Sequence, residues 1–134
     1  GAMLVGDAAA MAKPTSGGGV FTGLEAGRIC GEVAASAASS GDAGARSLGE
    51  YDKRWMEAFG RELGKGMTLR RAFMHLDDRQ IERAFDIIDD PEVLALVERK
   101  GDIDYPAGMV GAVLKKAPGL MTFAGPVLRA LLFR

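Results

Sequence analysis

The stretch Val5–Val20, VGDAAAMAKPTSGGGV, decides how this chain is read. Leu4 and Val5 read as the end of a strand, Gly6–Asp7 as the turn out of it, and Ala8–Met11 as a helical turn. Proline fixes φ and restricts the residue before it, so Lys13–Ser16 is expected to be loop. Gly17, Gly18 and Gly19 then lead into a helix expected to run from Gly18 to about Ser39. Within that helix Gly19, Gly23, Gly27 and Gly31 recur every four residues and share one stripe. Each glycine inside a helix costs about 1 kcal/mol relative to alanine. The stripe therefore implies that something approaches the helix backbone closely. Glu25, Arg28 and Glu32 interrupt the segment and exclude a membrane-type G-x-x-x-G seam. A flat cofactor or its supporting sheet fits the stripe, and plain helix packing is the simpler alternative. A dinucleotide site also needs a strand–turn–helix unit with spaced glycines, and no such unit lies in the short segment before Val5.

The bulk composition narrows the class. A chain of 134 residues fits one domain with a real core. Its 48% hydrophobic and 26% charged residues are ordinary for a folded soluble protein. A net charge of −1 supplies no global field for nucleic acid or anionic lipid, so no nucleic-acid partner is expected. Cys30 is the one cysteine, which excludes an internal disulfide and suits a reducing compartment. No basic region precedes an apolar core as in a signal peptide. No stretch reaches the roughly 18–20 apolar residues of a membrane span.

Beyond the glycine helix, Ser40–Gly41–Asp42 and Gly44 form a break. Ser47-Leu-Gly-Glu50 has the spacing of a capping box, and Leu48, Tyr51, Trp55, Phe59 and Leu63 follow a helical stripe behind it. Gly64 and Gly66 are expected to interrupt this helix before Leu69–His75. Asp77-Asp-Arg-Gln80 is a second capping signature, with Ile81, Phe85 and Ile88 on one face of the helix that follows. Asp90–Pro91 gives an N-cap with proline at the first helical position, and Gly101 closes that helix. Pro106 and Gly119 bracket another helix, and Leu120–Phe133 reads as a last one kinked at Pro126. The chain is expected to be mainly α.

Other candidate chemistry fails on spacing. In FGRELGKGMT, Phe59–Thr68, three residues separate Gly60 from Gly64, whereas a P-loop needs four to wrap phosphate. His75 is the only histidine and has no neighbouring cysteine or second histidine with which to share a metal, so a surface or capping role is expected. Cys30 lies within the glycine helix and reads as a small buried hydrophobe. Asp77–Asp78 and Asp89–Asp90 each precede a helix, where carboxylates suit the dipole.

VGDAA (5–9), KPTSGGG (13–19) and GLEAG (23–27) resemble the second FAD-binding motif of the geranylgeranyl reductase family of flavoproteins, within the larger class built like aromatic hydroxylases. SLGEYDKRWMEAFGREL and LDDRQIERAFDII look like that family's C-terminal helical region, and the likeness loosens after about Pro91. The resemblance implies a helical C-terminal fragment of an α+β FAD-binding flavoprotein, with a short N-terminal strand remnant. Residues 1–40 would be the FAD-binding motif and 41–134 the C-terminal helical region. It implies that the Asp7 carboxylate hydrogen-bonds the ribityl chain of FAD. Gly19 and Val20 would meet the flavin ring with their backbone, at the start of the glycine helix. Gly6, Pro14, Gly17 and Gly18 would complete the cofactor-binding set, holding the loop beside the ring. No catalytic residue and no metal ligand is assigned.

The family's activity is saturation of isoprenoid double bonds in archaeal lipid precursors, with hydride from reduced flavin. The chain departs from the family in lacking a G-x-G-x-x-G turn and the region that forms most of the sheet and the lipid pocket. It is accordingly expected to be the C-terminal part of a reductase, inactive and unable to retain FAD alone. The partners implied are an isoprenoid lipid substrate in the intact enzyme and a second copy of the chain. The second copy would cover an apolar stripe, Leu48, Tyr51, Trp55 and Phe59, or the glycine face, left open by the absent sheet. The C-terminal LMTFAGPVLRALLFR adds a second apolar surface, so a cytoplasmic protein in peripheral contact with membrane is expected. A non-enzymatic helical oligomerisation or interaction module, derived from such a fragment, is the competing reading.

Overall fold

The computed structural model describes residues 1–102, 104–123 and 125. Two compact units divide at Gly64: Gly1–Gly64 and Lys65–Arg134. The fold is mainly α. Its helices are α1 (Val20–Ser40), α2 (Ala45–Trp55), α3 (Arg61–Phe73), α4 (Asp78–Ile88), α5 (Pro91–Lys100) and α6 (Pro106–Lys116). Among the described residues there is no strand. The expected strand end is corrected accordingly. Val5 does have extended backbone (φ −133°, ψ 146°), but a strand exists only when a neighbour completes its hydrogen-bond ladder.

In the first unit, Thr22, Ala26, Ile29, Val33 and Ala37 are the buried residues of α1. Their spacing of three and four places them on one helical face. That face packs against Tyr51 of α2 and Phe59, both almost fully buried, with Met11 from the N-terminal loop in the same cluster. Leu48, Trp55 and Leu63 pack around it. The stripe expected to lie open is instead closed over by α1, which corrects the rationale for self-association through it. Full burial of an aromatic of this size stabilises by about 1.5–3 kcal/mol, so the two helices hold each other without an external sheet.

Gly41 (φ +68°) ends α1 in the left-handed conformation, its N–H donating to the carbonyls of Ala37 and Ala38. The expected capping box at Ser47–Glu50 does not form. α2 starts earlier, with Gly44 as its N-cap and no side-chain cap, which leaves Ser47 inside the helix. One Asp42 oxygen accepts from the Gly44 N–H (2.9 Å) and the other from the Ser47 hydroxyl (2.6 Å). These two bonds hold the Asp42 carboxyl below the usual carboxylate range.

A π-helical turn, Met56–Gly60, joins α2 to α3. At Gly60 a Cβ would lie 2.6 Å from Met56 Sδ and 2.8 Å from Trp55 Cζ3, so only glycine fits beneath the Trp55 ring. The expected break at Gly64 and Gly66 is absent, and α3 runs through both. Two glycines cost about 2 kcal/mol together, which the good helix formers around them outweigh.

In the second unit, Val93, Val113 and Ala117 form a small core with Ile87, Ile88, Leu96, Val97, Met109 and Leu120. Asp77 caps α4 as expected: its Oδ1 accepts from the Gln80 N–H (2.8 Å), and Gln80 Oε1 accepts from the Asp77 N–H (3.0 Å). Asp90 caps α5 through the Glu92 and Val93 amides. Of the expected stripe, Ile81 and Phe85 are exposed; Ile88 is half-buried and packs with Ile87 against the core. Leu120–Phe123 lie in a short 3₁₀ helix, Pro118–Phe123; most of the last expected helix, including Pro126, lies outside the described residues. No helix among the described residues is long and apolar enough to cross a membrane.

Candidate functional site

The expected cofactor-contacting residues gather where the N-terminal segment meets the start of α1. Gly6–Ala9 is a single 3₁₀ turn. It is entered through Gly6 at φ +68° and left through Ala10 at φ +55°. The Ala10 N–H donates to the Asp7 carbonyl (3.0 Å) and the Met11 N–H to the Gly6 carbonyl (3.1 Å). A left-handed non-glycine residue is strained by roughly 1–2 kcal/mol. Burial of the adjacent Met11, 1% exposed, offsets that cost.

The loop then folds back on itself. The Lys13 N–H donates to the Gly18 carbonyl (2.9 Å) and the Gly17 N–H to the Lys13 carbonyl (2.8 Å). Pro14–Ser16 makes the turn between them. Each of the three glycines answers a different need. Gly17 adopts φ +73° with open space around it, and Gly18 faces the buried stem of Lys13, whose Cε would be 3.1 Å from a Cβ there. At Gly19 a Cβ would lie 2.6 Å from Asp7 Oδ1. The loop thus brings the exposed Asp7 carboxylate directly against the N-cap residue of α1.

That meeting has electrostatic content. The first amides of a helix lack intrahelical acceptors and carry partial positive charge. α1 has no acidic residue in its own first turn, so Asp7 is the acid that the fold delivers there. Val20 and Leu24, one turn apart, are 78% and 71% exposed beside it. Carboxylate oxygens, bare glycine backbone and an apolar shelf therefore adjoin. Such a surface can accept hydrogen bonds from hydroxyls while a flat ring lies on the backbone, so these residues fit a flavin with a polyhydroxyl chain.

The glycine stripe has a nearer occupant than a cofactor or a sheet. Gly23 faces Gly6, a Cβ on it lying 3.8 Å from the Gly6 Cα, and Gly27 faces Val5 Cγ1 at 4.0 Å. The chain's own N-terminal segment covers these positions, while Gly31 meets open space. Elsewhere, His75 Nδ1 lies 2.7 Å from the Arg71 carbonyl at the end of α3, a capping contact. Half-buried Cys30 packs against the first core.

Two residues had no site role in the sequence reading, Tyr51 being read there only as part of an apolar stripe. The buried Thr22 hydroxyl donates to the Met11 carbonyl (2.7 Å), and the Tyr51 hydroxyl donates to the Leu4 carbonyl (2.6 Å). Thr22 did carry a signal, being a polar residue in register with Ala26, Ile29 and Val33 on the apolar face.

The chain has relatives among known proteins. The chain is 41% identical over 93 residues, 69% of its length, to the digeranylgeranylglycerophospholipid reductase of Methanothrix thermoacetophila. It is 31% identical over 129 residues to digeranylgeranylglycerophospholipid reductase 2 of Methanopyrus kandleri, and 40% identical over 87 residues to the Methanosarcina acetivorans reductase. The chain is a segment homologous to the digeranylgeranylglycerophospholipid reductases. It spans 24% of the Methanothrix reductase and 32% of the Methanopyrus one. The Methanopyrus match covers 96% of the chain, so Asp7 and the glycine loop fall inside it. No family model matches the chain, and no solved structure matches it significantly.

Proposed function

We propose that residues 5–20 form the flavin-contacting part of a FAD-dependent reductase that acts on geranylgeranyl double bonds of archaeal lipid precursors. The observation that carries this reading is the contact of the exposed Asp7 carboxylate with Gly19 at the N-terminus of α1. Homology to reductases named for digeranylgeranylglycerophospholipid supports the substrate class. Asp7 would accept hydrogen bonds from the ribityl hydroxyls. Gly19 and Val20 would offer backbone to the ring, and the positive end of α1 would favour negative charge on it. Gly6, Gly17 and Gly18 keep side chains out of the way, and Pro14 fixes the loop. Bound FAD supplies the hydride transfer itself.

On this reading the remainder of a reductase supplies the lipid pocket, and the protein works in the cytoplasm in peripheral contact with membrane. The test is a graft. Residues 1–134 replace the matched segment of the Methanopyrus reductase, and the purified chimera is assayed for bound flavin and for saturation of a geranylgeranyl lipid. The expected result is a yellow, active chimera. A folded chimera without flavin contradicts the proposal and favours a non-enzymatic helical interaction module.

A further inference from the structure

The turn that carries Asp7 is short and has no core of its own. It has four residues in one 3₁₀ turn, is entered and left through positive φ, and none of its residues is buried. Two hydrogen bonds from buried helical side chains bracket it. On one side, the Tyr51 hydroxyl of α2 donates to the carbonyl of Leu4 at 2.6 Å. On the other, the Thr22 hydroxyl of α1 donates to the carbonyl of Met11 at 2.7 Å. Thr22 and Tyr51 are each only 2% exposed, so neither hydroxyl has water as an easy substitute. Burial raises the Tyr51 pKa, which keeps the phenol protonated as a donor. The Thr22 hydroxyl also lies 3.1 Å from the Gly19 carbonyl, so one side chain touches both the loop and the residue that Asp7 abuts.

We infer that Thr22 and Tyr51 are positioning residues of the flavin site: together they clamp the Asp7 turn against the N-terminus of α1. The inference rests on the reading of Asp7 as a ribityl contact. Neither residue touches the cofactor in this account. Each acts through a carbonyl flanking the turn.

The test compares Thr22→Val, which keeps shape and loses the hydroxyl, with Thr22→Ser, which keeps the hydroxyl, and adds Tyr51→Phe. Amide hydrogen exchange is measured on the 134-residue chain, and FAD affinity on the Methanopyrus chimera. Thr22→Val and Tyr51→Phe are expected to speed exchange of the Ala10 and Met11 amides about tenfold relative to Val33 in mid-α1. The same variants should weaken FAD binding about three- to tenfold, as loss of one hydrogen bond implies. Thr22→Ser is expected to restore both. Equal acceleration at Ala10, Met11 and Val33 means general destabilisation and overturns the inference, as does failure of Thr22→Ser to rescue. If Asp7→Ala weakens FAD binding while Thr22→Val and Tyr51→Phe do not, the clamp is overturned and the flavin reading stands. If Asp7→Ala is itself silent, the flavin reading falls and the clamp's role falls with it.

Discussion

Glycines that look alike in the sequence do different work in the structure. A Cβ on Gly19 would displace the Asp7 carboxylate, whereas one on Gly31 meets nothing within 4 Å. Gly31→Ala should therefore raise stability by about 0.5–1 kcal/mol, the usual gain for alanine in a helix interior. Gly19→Ala should change the melting temperature little, because the atom in its way is the end of a movable side chain, yet weaken FAD binding in the chimera about tenfold. Thermal melts and a flavin titration on the two variants check both statements. Gly60→Ala should destabilise by about 1–3 kcal/mol, since Trp55 and Met56 block the new methyl. The four-residue glycine spacing and the loop-forming Pro14 were legible in the sequence. The identity of what covers each glycine was not, because that depends on where the N-terminal segment folds back.

Elements were read best where their ends carry side-chain chemistry. Asp77 and Asp90 announce α4 and α5 by local hydrogen bonds that need no tertiary partner. Ser47 misled because α2 already starts at Ala45, and the Ser47 hydroxyl donates to Asp42 instead of capping the helix. Gly64 and Gly66 misled because propensity is weak against helical neighbours on both sides. Asp77→Ala should destabilise the second unit by about 0.5–2 kcal/mol, measured by chemical denaturation. α1 and α2 are also joined by charge. Arg28 pairs with Glu25 and Glu32, and Glu32 reaches Arg54 of α2. These partners hold the Glu25 and Glu32 carboxyls below the usual glutamate range: Arg28 first for Glu25, Arg54 first for Glu32. A carboxylate whose pKa is depressed by folding stabilises above its unfolded pKa, and loses that contribution as pH falls through the folded value. Glu32→Gln should therefore melt slightly below the native chain at pH 7, and the gap should close as pH drops below the glutamate range. All these groups are exposed, so added salt should shrink the gap as well.

At the scale of the whole molecule, the mainly helical class and the apolar stripe of α2 were legible from periodicity, but the closure of α1 over that stripe was not. The absence of a strand among the described residues was not, because an extended Val5 needs a neighbour that local sequence does not reveal. The first unit buries Tyr51 and Phe59 and half-buries Leu48 and Trp55, so that stripe is not open to a second copy. Among the described residues, Leu4, Val20 and Leu24 in the first unit and Phe73, Met74, Phe85 and Met121 in the second are the large apolar side chains more than half exposed. The central claim nevertheless rests on one carboxylate. Its most direct test is the dissociation constant of FAD for the Methanopyrus chimera with Asp7 and with Asp7→Ala, read from the flavin absorbance that stays with the protein on dilution. A hydrogen bond to a charged acceptor contributes about 1.5–3 kcal/mol, so the substitution should weaken binding by roughly ten- to a hundredfold. An unchanged dissociation constant in a variant that folds and melts like its parent would contradict the account.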